Sequence, residues 1–266
     1  MAKFVYFLLA LLVNVHALKL QMNSVVVFGG TGKTGSECVF QALNSGKKCI
    51  VLARDKNKMT IPMGSGGSSG GKPLTDPNLN VIEGSVTDPS AVEKVFEAAD
   101  DISGVVVALG GKTKDVGPTM LTDGTRNIVA SMKRKGVKRV AVVTSIGAGD
   151  SESQAPLFFK VLMMTVMKGI FKDKNNQEAI FLDGEGKDLE YCIVRPGGLG
   201  EGPPTGVINV IEGQAGSIQR ADVAQFCLGA ILDKSFEYVR KTPCISSVGG
   251  TSWVKEKGFD EVTRSS

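Results

Sequence analysis

Short apolar runs, rich in Val and Ile, recur along the chain at 24–28, 49–53, 80–83, 104–109, 139–144 and 190–194. Between them lie stretches able to form helices, at 35–45, 90–99, 123–135 and 174–183. Strands that alternate with helices and are apolar on both faces belong in a parallel sheet covered on each side. The pattern therefore predicts a doubly wound, Rossmann-type α/β fold, one domain over 18–266 with a small C-terminal substrate-side portion. Asp88-Pro89-Ser90 has the form of a helix start.

Two segments break the rhythm. Residues 63–77 contain GSGGSSGG and two prolines, a composition that predicts a flexible surface loop between the second and third strands. Residues 156–171, PLFFKVLMMTVMKGIF, are nearly all apolar, and Lys160, Lys168 and Lys172 share one face of the expected helix. Such a helix must be covered. Burial in the core or in a homodimer contact ranks first, a lid over a substrate pocket second, a membrane surface third. The run is too short for a transmembrane span, which needs about twenty residues.

Composition narrows the field. With 266 residues, 42% hydrophobic and 22% charged, the chain can bury a core of its own. A formal charge of +4 gives no argument for nucleic acid. The densest basic run, Lys133-Arg134-Lys135 with Lys138 and Arg139, suits a solvated helix end, where cations complement the helix dipole. The five cysteines are odd in number and follow no zinc spacing, so no disulfide framework and no metal site is expected. His16 is the only histidine, which argues against Ser-His-Asp and Cys-His catalysis.

The first seventeen residues read differently from the rest. A short positive start, Met1-Ala2-Lys3, precedes an apolar run at 4–13 and then Val15-His16-Ala17, the form of a signal peptide over 1–17. The expectation is entry into the endomembrane system, from which a plastid can be reached. An uncleaved extension on a cytoplasmic enzyme is the alternative.

Residues 25–35, VVVFGGTGKTG, permit two parses. Gly32-Lys33-Thr34 resembles the end of a triphosphate loop, but that loop needs a glycine where Val27 stands, inside the strand. Gly29, Gly32 and Gly35 instead have the spacing of a dinucleotide-binding turn, with a strand before it and a helix after it. At the end of the second strand, Arg54 offers a partner for a 2′-phosphate, with Lys33 adding charge from the loop. NADP(H) is therefore the expected cofactor, although Asp55 is one residue away and would suit a ribose hydroxyl.

With these residues placed, the chain resembles the atypical short-chain dehydrogenase/reductases that bind NAD(P)H, within them the flavin reductase/biliverdin reductase B and NmrA-like branch. VVVFGGTGKTG, VLARDKNK, VIEGSVTDPSAV, VVVALGG, RVAVVTSIGAG, YCIVRPGGL and SIQRADVAQFCLGAIL are similar to successive segments of that family. The resemblance implies that Gly29, Gly30, Thr31, Gly32, Lys33, Thr34 and Gly35 cradle the pyrophosphate and Arg54 the 2′-phosphate. Ser85 and Val86 would lie at the adenine, Ala108, Leu109 and Gly110 along the cofactor, and Pro196, Gly197 and Leu199 near the nicotinamide.

Typical members use Tyr-x-x-x-Lys for proton transfer. Here Lys174 stands at the lysine position and Ile170 at the tyrosine position. The candidates for catalytic roles are therefore Ser145, which aligns with the family serine and could hydrogen-bond a carbonyl, and Lys174, which could orient the nicotinamide ribose. Each could equally be structural, Ser145 as a strand cap and Lys174 as a helix-surface charge. The expected function is an NADPH-dependent oxidoreductase passing hydride directly to a small-molecule acceptor, a flavin, quinone or bilin-like tetrapyrrole. The alternative is a non-catalytic NADP(H)-sensing or assembly protein of the NmrA-like type.

Overall fold

The computed structural model describes residues 23–111, 117–213 and 216–247, with the backbone of 251–252. The signal-peptide expectation for 1–17 lies outside the described residues. The alternation predicted from the apolar runs is present: β1 (Ser24–Phe28), α1 (Lys33–Asn44), β2 (Lys48–Ala53), β3 (Leu79–Glu83), α2 (Pro89–Glu97), β4 (Ile102–Val107), α3 (Met120–Lys135) and β5 (Arg139–Val143). It continues through α4 (Leu157–Met164), α5 (Lys168–Leu182), β6 (Glu190–Pro196), the short β7 (Gly198–Gly200), β8 (Asn209–Ile211) and β9 (Ser217–Gln219), α6 (Arg220–Leu232), β10 (Cys244–Ser246) and β11 (Thr251–Ser252).

The main sheet has the order β11-β8-β10-β6-β5-β4-β1-β2-β3. It is parallel from β3 to β10, and β8 and β11 add antiparallel pairs at one edge. The order runs outward in opposite directions from the β1–β4 pair, so a crevice opens beyond the carboxyl ends of these strands. This is a single-domain, Rossmann-like α/β fold.

Side-chain alternation explains why β1 is apolar throughout. Val25 and Val27 pack with Cys38, Val39, Ala224 and Phe226 beneath α1 and α6, whereas Val26 and Phe28 pack with Val92, Phe96, Ile128 and Phe181 beneath α2, α3 and α5. All five cysteines are free and buried. Asp88 caps α2 as predicted, accepting hydrogen bonds from Ser90 N at 2.9 Å and Ser90 Oγ at 2.8 Å.

Two expectations need correction. The Gly/Ser-rich loop is folded onto the domain. Its flanks pair antiparallel at Thr60 and Pro73, and the buried carboxylate of Glu37 on α1 accepts Gly64 N at 3.0 Å and Ser65 N at 3.2 Å. Composition described the segment's freedom as a peptide but not the acid waiting for its amides. The apolar run near 156–171 is likewise not one helix. Thr165 turns its hydroxyl back to the Val161 carbonyl at 2.8 Å, a local bond that competes with helix continuation, and the chain breaks there into α4 and α5. The Lys160–Lys168–Lys172 face therefore does not exist as a single stripe. Met163 and Phe171 are buried, while Leu157, Phe158, Val161, Met164 and Val166 are exposed.

Candidate functional site

A cavity of about 700 Å3 fills the crevice at the switch in strand order. Its floor is the turn after β1. Gly29 has φ +86°, and a Cβ there would collide with the Ala108 carbonyl oxygen, while one on Gly35 would collide with the carbonyl oxygen of Gly29. The two glycines thus let β1, β4 and α1 approach one another closely. Gly32 N closes the turn onto Gly29 O at 2.9 Å. No side chain caps α1 and no acid lies in its first turn, so its leading amides and the positive end of its dipole face the cavity unneutralised.

Of the positions nominated by the sequence, Gly29, Thr31, Gly32, Lys33, Thr34, Arg54, Ser85, Val86, Ala108, Leu109, Gly110, Leu199 and Lys174 line this one cavity. Gly30 and Gly35 do not; they serve packing behind the turn. Pro196 and Gly197 do not line it either. Pro196 is paired with Ile245 at the end of β6, and Gly197, the bend just beyond it, donates its N–H to Ile245 O at 3.0 Å. Ser145 is also absent from the wall, and its hydroxyl donates to the Ile146 carbonyl at 2.9 Å. Its neighbour Thr144 lines the cavity instead.

Arg54 lies at the carboxyl end of β2 on the cavity wall. Asp55 is directed elsewhere: its carboxylate accepts Asn57 N at 3.0 Å and caps the turn that follows. Ser85 is held by Thr87, hydroxyl to hydroxyl at 2.8 Å, and Asn127 Nδ2 donates to Val86 O at 3.0 Å, which fixes the strap after β3 against α3.

Sequence reasoning missed Arg220, which opens α6 and reaches the same cavity. Arg220 Nη1 donates to Leu199 O at 3.1 Å and lies 3.6 Å from Glu201 Oε1, and Lys33 pairs with the same oxygen. The hydrogen bond from Lys33 holds the Glu201 carboxyl below the usual carboxylate range. Buried Asp222 accepts Thr205 N at 3.0 Å and Gly206 N at 3.0 Å, and Gln219 Oε1 accepts Gly202 N at 2.8 Å. These bonds hold the segment after β7 against the start of α6. The signal was present in the sequence as Gln219-Arg220-x-Asp222, but nothing local says that its polar groups point forward onto another loop.

Deeper in the cavity, Lys174 Nζ donates to Thr144 O at 3.0 Å. Thr144 Oγ1 in turn donates to Glu178 at 2.6 Å, and Glu178 is clasped by Arg195, through Nε at 3.1 Å and Nη2 at 2.6 Å. Burial pulls the Lys174 ammonium down to about 8, against the charges of Glu178 and Asp173, which raise it.

The residues fit a dinucleotide. The wall has uncapped helix amides, a turn that a Cβ would fill, four cationic side chains in Lys33, Arg54, Lys174 and Arg220, and no acidic side chain among the described residues. Comparison with known proteins agrees: a family profile described as NAD(P)H-binding matches residues 29–234. The chain belongs to this NAD(P)H-binding family.

An uncharacterised chloroplastic protein of Arabidopsis thaliana is 30% identical over 232 residues, 82% of this chain and 75% of the relative. The reductase pytE of Aspergillus terreus is 24% identical over 204 residues, 67% of this chain and 76% of that protein. Among solved structures, ChuY, an anaerobilin reductase from Escherichia coli O157:H7, superposes with a TM-score of 0.63 at 22% identity, covering 84% of this chain and 97% of that one. At that identity the likeness speaks for the fold. The protein is thus an NAD(P)H-binding chain with a Rossmann-like α/β fold. Among the described residues no helix is long and apolar enough to cross a membrane, and no His/Cys/Asp/Glu cluster could hold a metal ion.

Proposed function

We propose that the protein is an NADPH-dependent reductase whose acceptor is a planar conjugated molecule of the flavin, quinone or tetrapyrrole kind. The observation that carries this reading is a cationic dinucleotide cleft whose wall contains no tyrosine among the described residues. Bound NADPH would supply a hydride. The amides opening α1, with Lys33 and Thr34, would hold the pyrophosphate, and Arg54 the 2′-phosphate. Arg54 faces the cleft while Asp55 is occupied by its own turn, which favours NADPH over NADH. Leu109, Met120 and Leu199 give the wall apolar surface against which a conjugated ring can lie.

The test is direct titration with NADPH and NADH, followed by a screen of flavins, quinones and bilins for NADPH oxidation. Tight NADPH binding with turnover of at least one acceptor is the expected result. NADPH binding with no turnover, together with capture of a partner that responds to the NADP+/NADPH ratio, would replace this reading by the sensor one. The chloroplastic Arabidopsis relative supports the plastid branch of the targeting expectation. Import of the full chain fused to a fluorescent protein tests it, and retention in the cytoplasm would refute it.

A further inference from the structure

Reduction of a conjugated acceptor by hydride leaves a negative charge that needs a proton. Four titratable side chains line the cleft: Lys33, Arg54, Lys174 and Arg220. The two arginines cannot give up a proton at ordinary pH. Lys33 is 66% exposed, is paired with Glu201, and lies beside the glycine turn, at the phosphate end of the cleft. Lys174 remains, on the opposite wall with Val143, Thr144 and Met120.

We propose that Lys174 is the proton donor of the reduction, delivering a proton from Nζ to a heteroatom of the acceptor; the proposal rests on the reductase reading above. Nζ uses one N–H on the Thr144 carbonyl at 3.0 Å, which aims the ammonium along the wall and leaves two further N–H groups for the cleft. Thr144 is itself pinned, its N–H donating to Val194 O at 2.9 Å and its hydroxyl to Glu178 at 2.6 Å, so the acceptor of the lysine cannot drift.

The acids that could neutralise Lys174 are otherwise engaged. Glu178, one turn further along α5, is taken by Thr144 and by Arg195 from β6. Asp173 accepts the amides of Leu121 at 2.9 Å and Thr122 at 3.1 Å from α3. Both act on Lys174 through space, and burial outweighs them, which leaves the ammonium at about 8: charged at neutral pH, yet readily deprotonated. A group poised near the working pH is the efficient proton donor.

The balance is simple. The acceptor gains the hydride at one atom and the Lys174 proton at another, the Nζ–H bond breaks, and the amine takes a replacement proton from solvent. One NADPH and one proton are consumed, and NADP+ leaves.

Two measurements on the full chain test the proposal. The pH dependence of Lys174 acylation, followed by peptide mass spectrometry, should show a midpoint near 8, with shielding by NADP+. A midpoint in the ordinary lysine range, about 10.4, would overturn it. With the best acceptor, kcat/KM should fall as pH rises above about 8 because the donor loses its proton. Lys174→Gln should lose about 100-fold or more in rate together with this alkaline limb. Lys174→Arg keeps the cation but cannot release a proton, and should be as slow while binding NADPH within about threefold of wild type. Rate restored by Lys174→Arg, or an unchanged alkaline limb in Lys174→Gln, would show a positioning role and sink this inference alone. Binding of NADPH without turnover of any acceptor would sink the reductase reading, and this one with it.

Discussion

At the scale of single residues, charge and reach decide what the cleft can hold. Arg54 and Asp55 are neighbours in sequence, yet only Arg54 faces the cavity because the Asp55 carboxylate is consumed by the turn at Asn57. Hydrogen bonds to charged groups contribute about 1.5–3 kcal/mol each. Arg54→Ala should accordingly raise the Kd for NADPH about tenfold or more and that for NADH less than about twofold, read by fluorescence titration. An equal loss for both cofactors would mean that Arg54 does not meet the 2′-phosphate. The glycine turn was legible from residue types alone, since a positive φ at Gly29 is a demand that few other residues meet. The Lys33–Glu201–Arg220 contact was not, because its three members come from separate parts of the chain.

Helices and loops show how context overrides composition. The 63–77 segment reads as a flexible surface loop, but Glu37, only 2% exposed, takes two of its amides and thereby gives it a place to dock. Glu37→Ala leaves those amides without their acceptor and should cost about 2–3 kcal/mol. Urea denaturation measures the loss, and proteolysis should cut first within the Gly/Ser stretch. A variant as stable as wild type and no more readily cleaved would refute the docking role.

The α4 segment separates into two faces. Met163 packs with Ala148, Ala155 and Phe171, whereas Phe158 is 81% exposed. Met163→Ala should destabilise by about 2–3 kcal/mol, and Phe158→Ser by less than about 0.5 kcal/mol, in the same denaturation experiment. Comparable losses at both sites would show that Phe158 is covered in solution. The sequence marked this run as apolar and in need of a partner, but a hydropathy pattern does not say which turns of a helix the rest of the fold leaves open.

For the molecule as a whole, Lys174 couples function to stability. Its folded pKa lies below its unfolded one, so between about 8 and 10.4 the unfolded chain binds the extra proton. The Lys174 contribution to stability therefore rises with pH across that window. The buried thiols Cys49, Cys192 and Cys244, pushed up by burial, and Cys38, pushed up by its hydrogen bond with Cys227 and by burial, remove stability over the same range. Replacing Lys174 by Met should remove this contribution and stabilise the protein at pH 7, by an amount on the order of 2 kcal/mol once solvent screening is allowed for. Thermal melts of wild type and Lys174→Met from pH 7 to 10.5 read both effects, and a stability difference between the two that does not change with pH would contradict the placement of Lys174. At the acid end the slope has the same sign, but there the groups stabilise the fold. Asp88, Asp150 and Glu201 are held below their ordinary values by hydrogen bonds from Ser90, Arg195 and Lys33. What they contribute is present above the unfolded carboxylate pKa and is lost as pH falls through the folded one.

By itself the sequence determined the alternating parallel sheet, the glycine turn and the arginine after the second strand. Each of these is a local rule, in which apolar period, backbone freedom or charge at a fixed spacing suffices. Only the tertiary structure decided that Thr144 rather than Ser145 faces the cleft, that Pro196 and Gly197 are held by Ile245, that Arg220 joins the cavity, and that Lys174 sits there with its neighbouring acids already engaged. The reason is physical: those outcomes depend on which groups from distant segments claim a donor or an acceptor first, and no window of sequence contains both claimants.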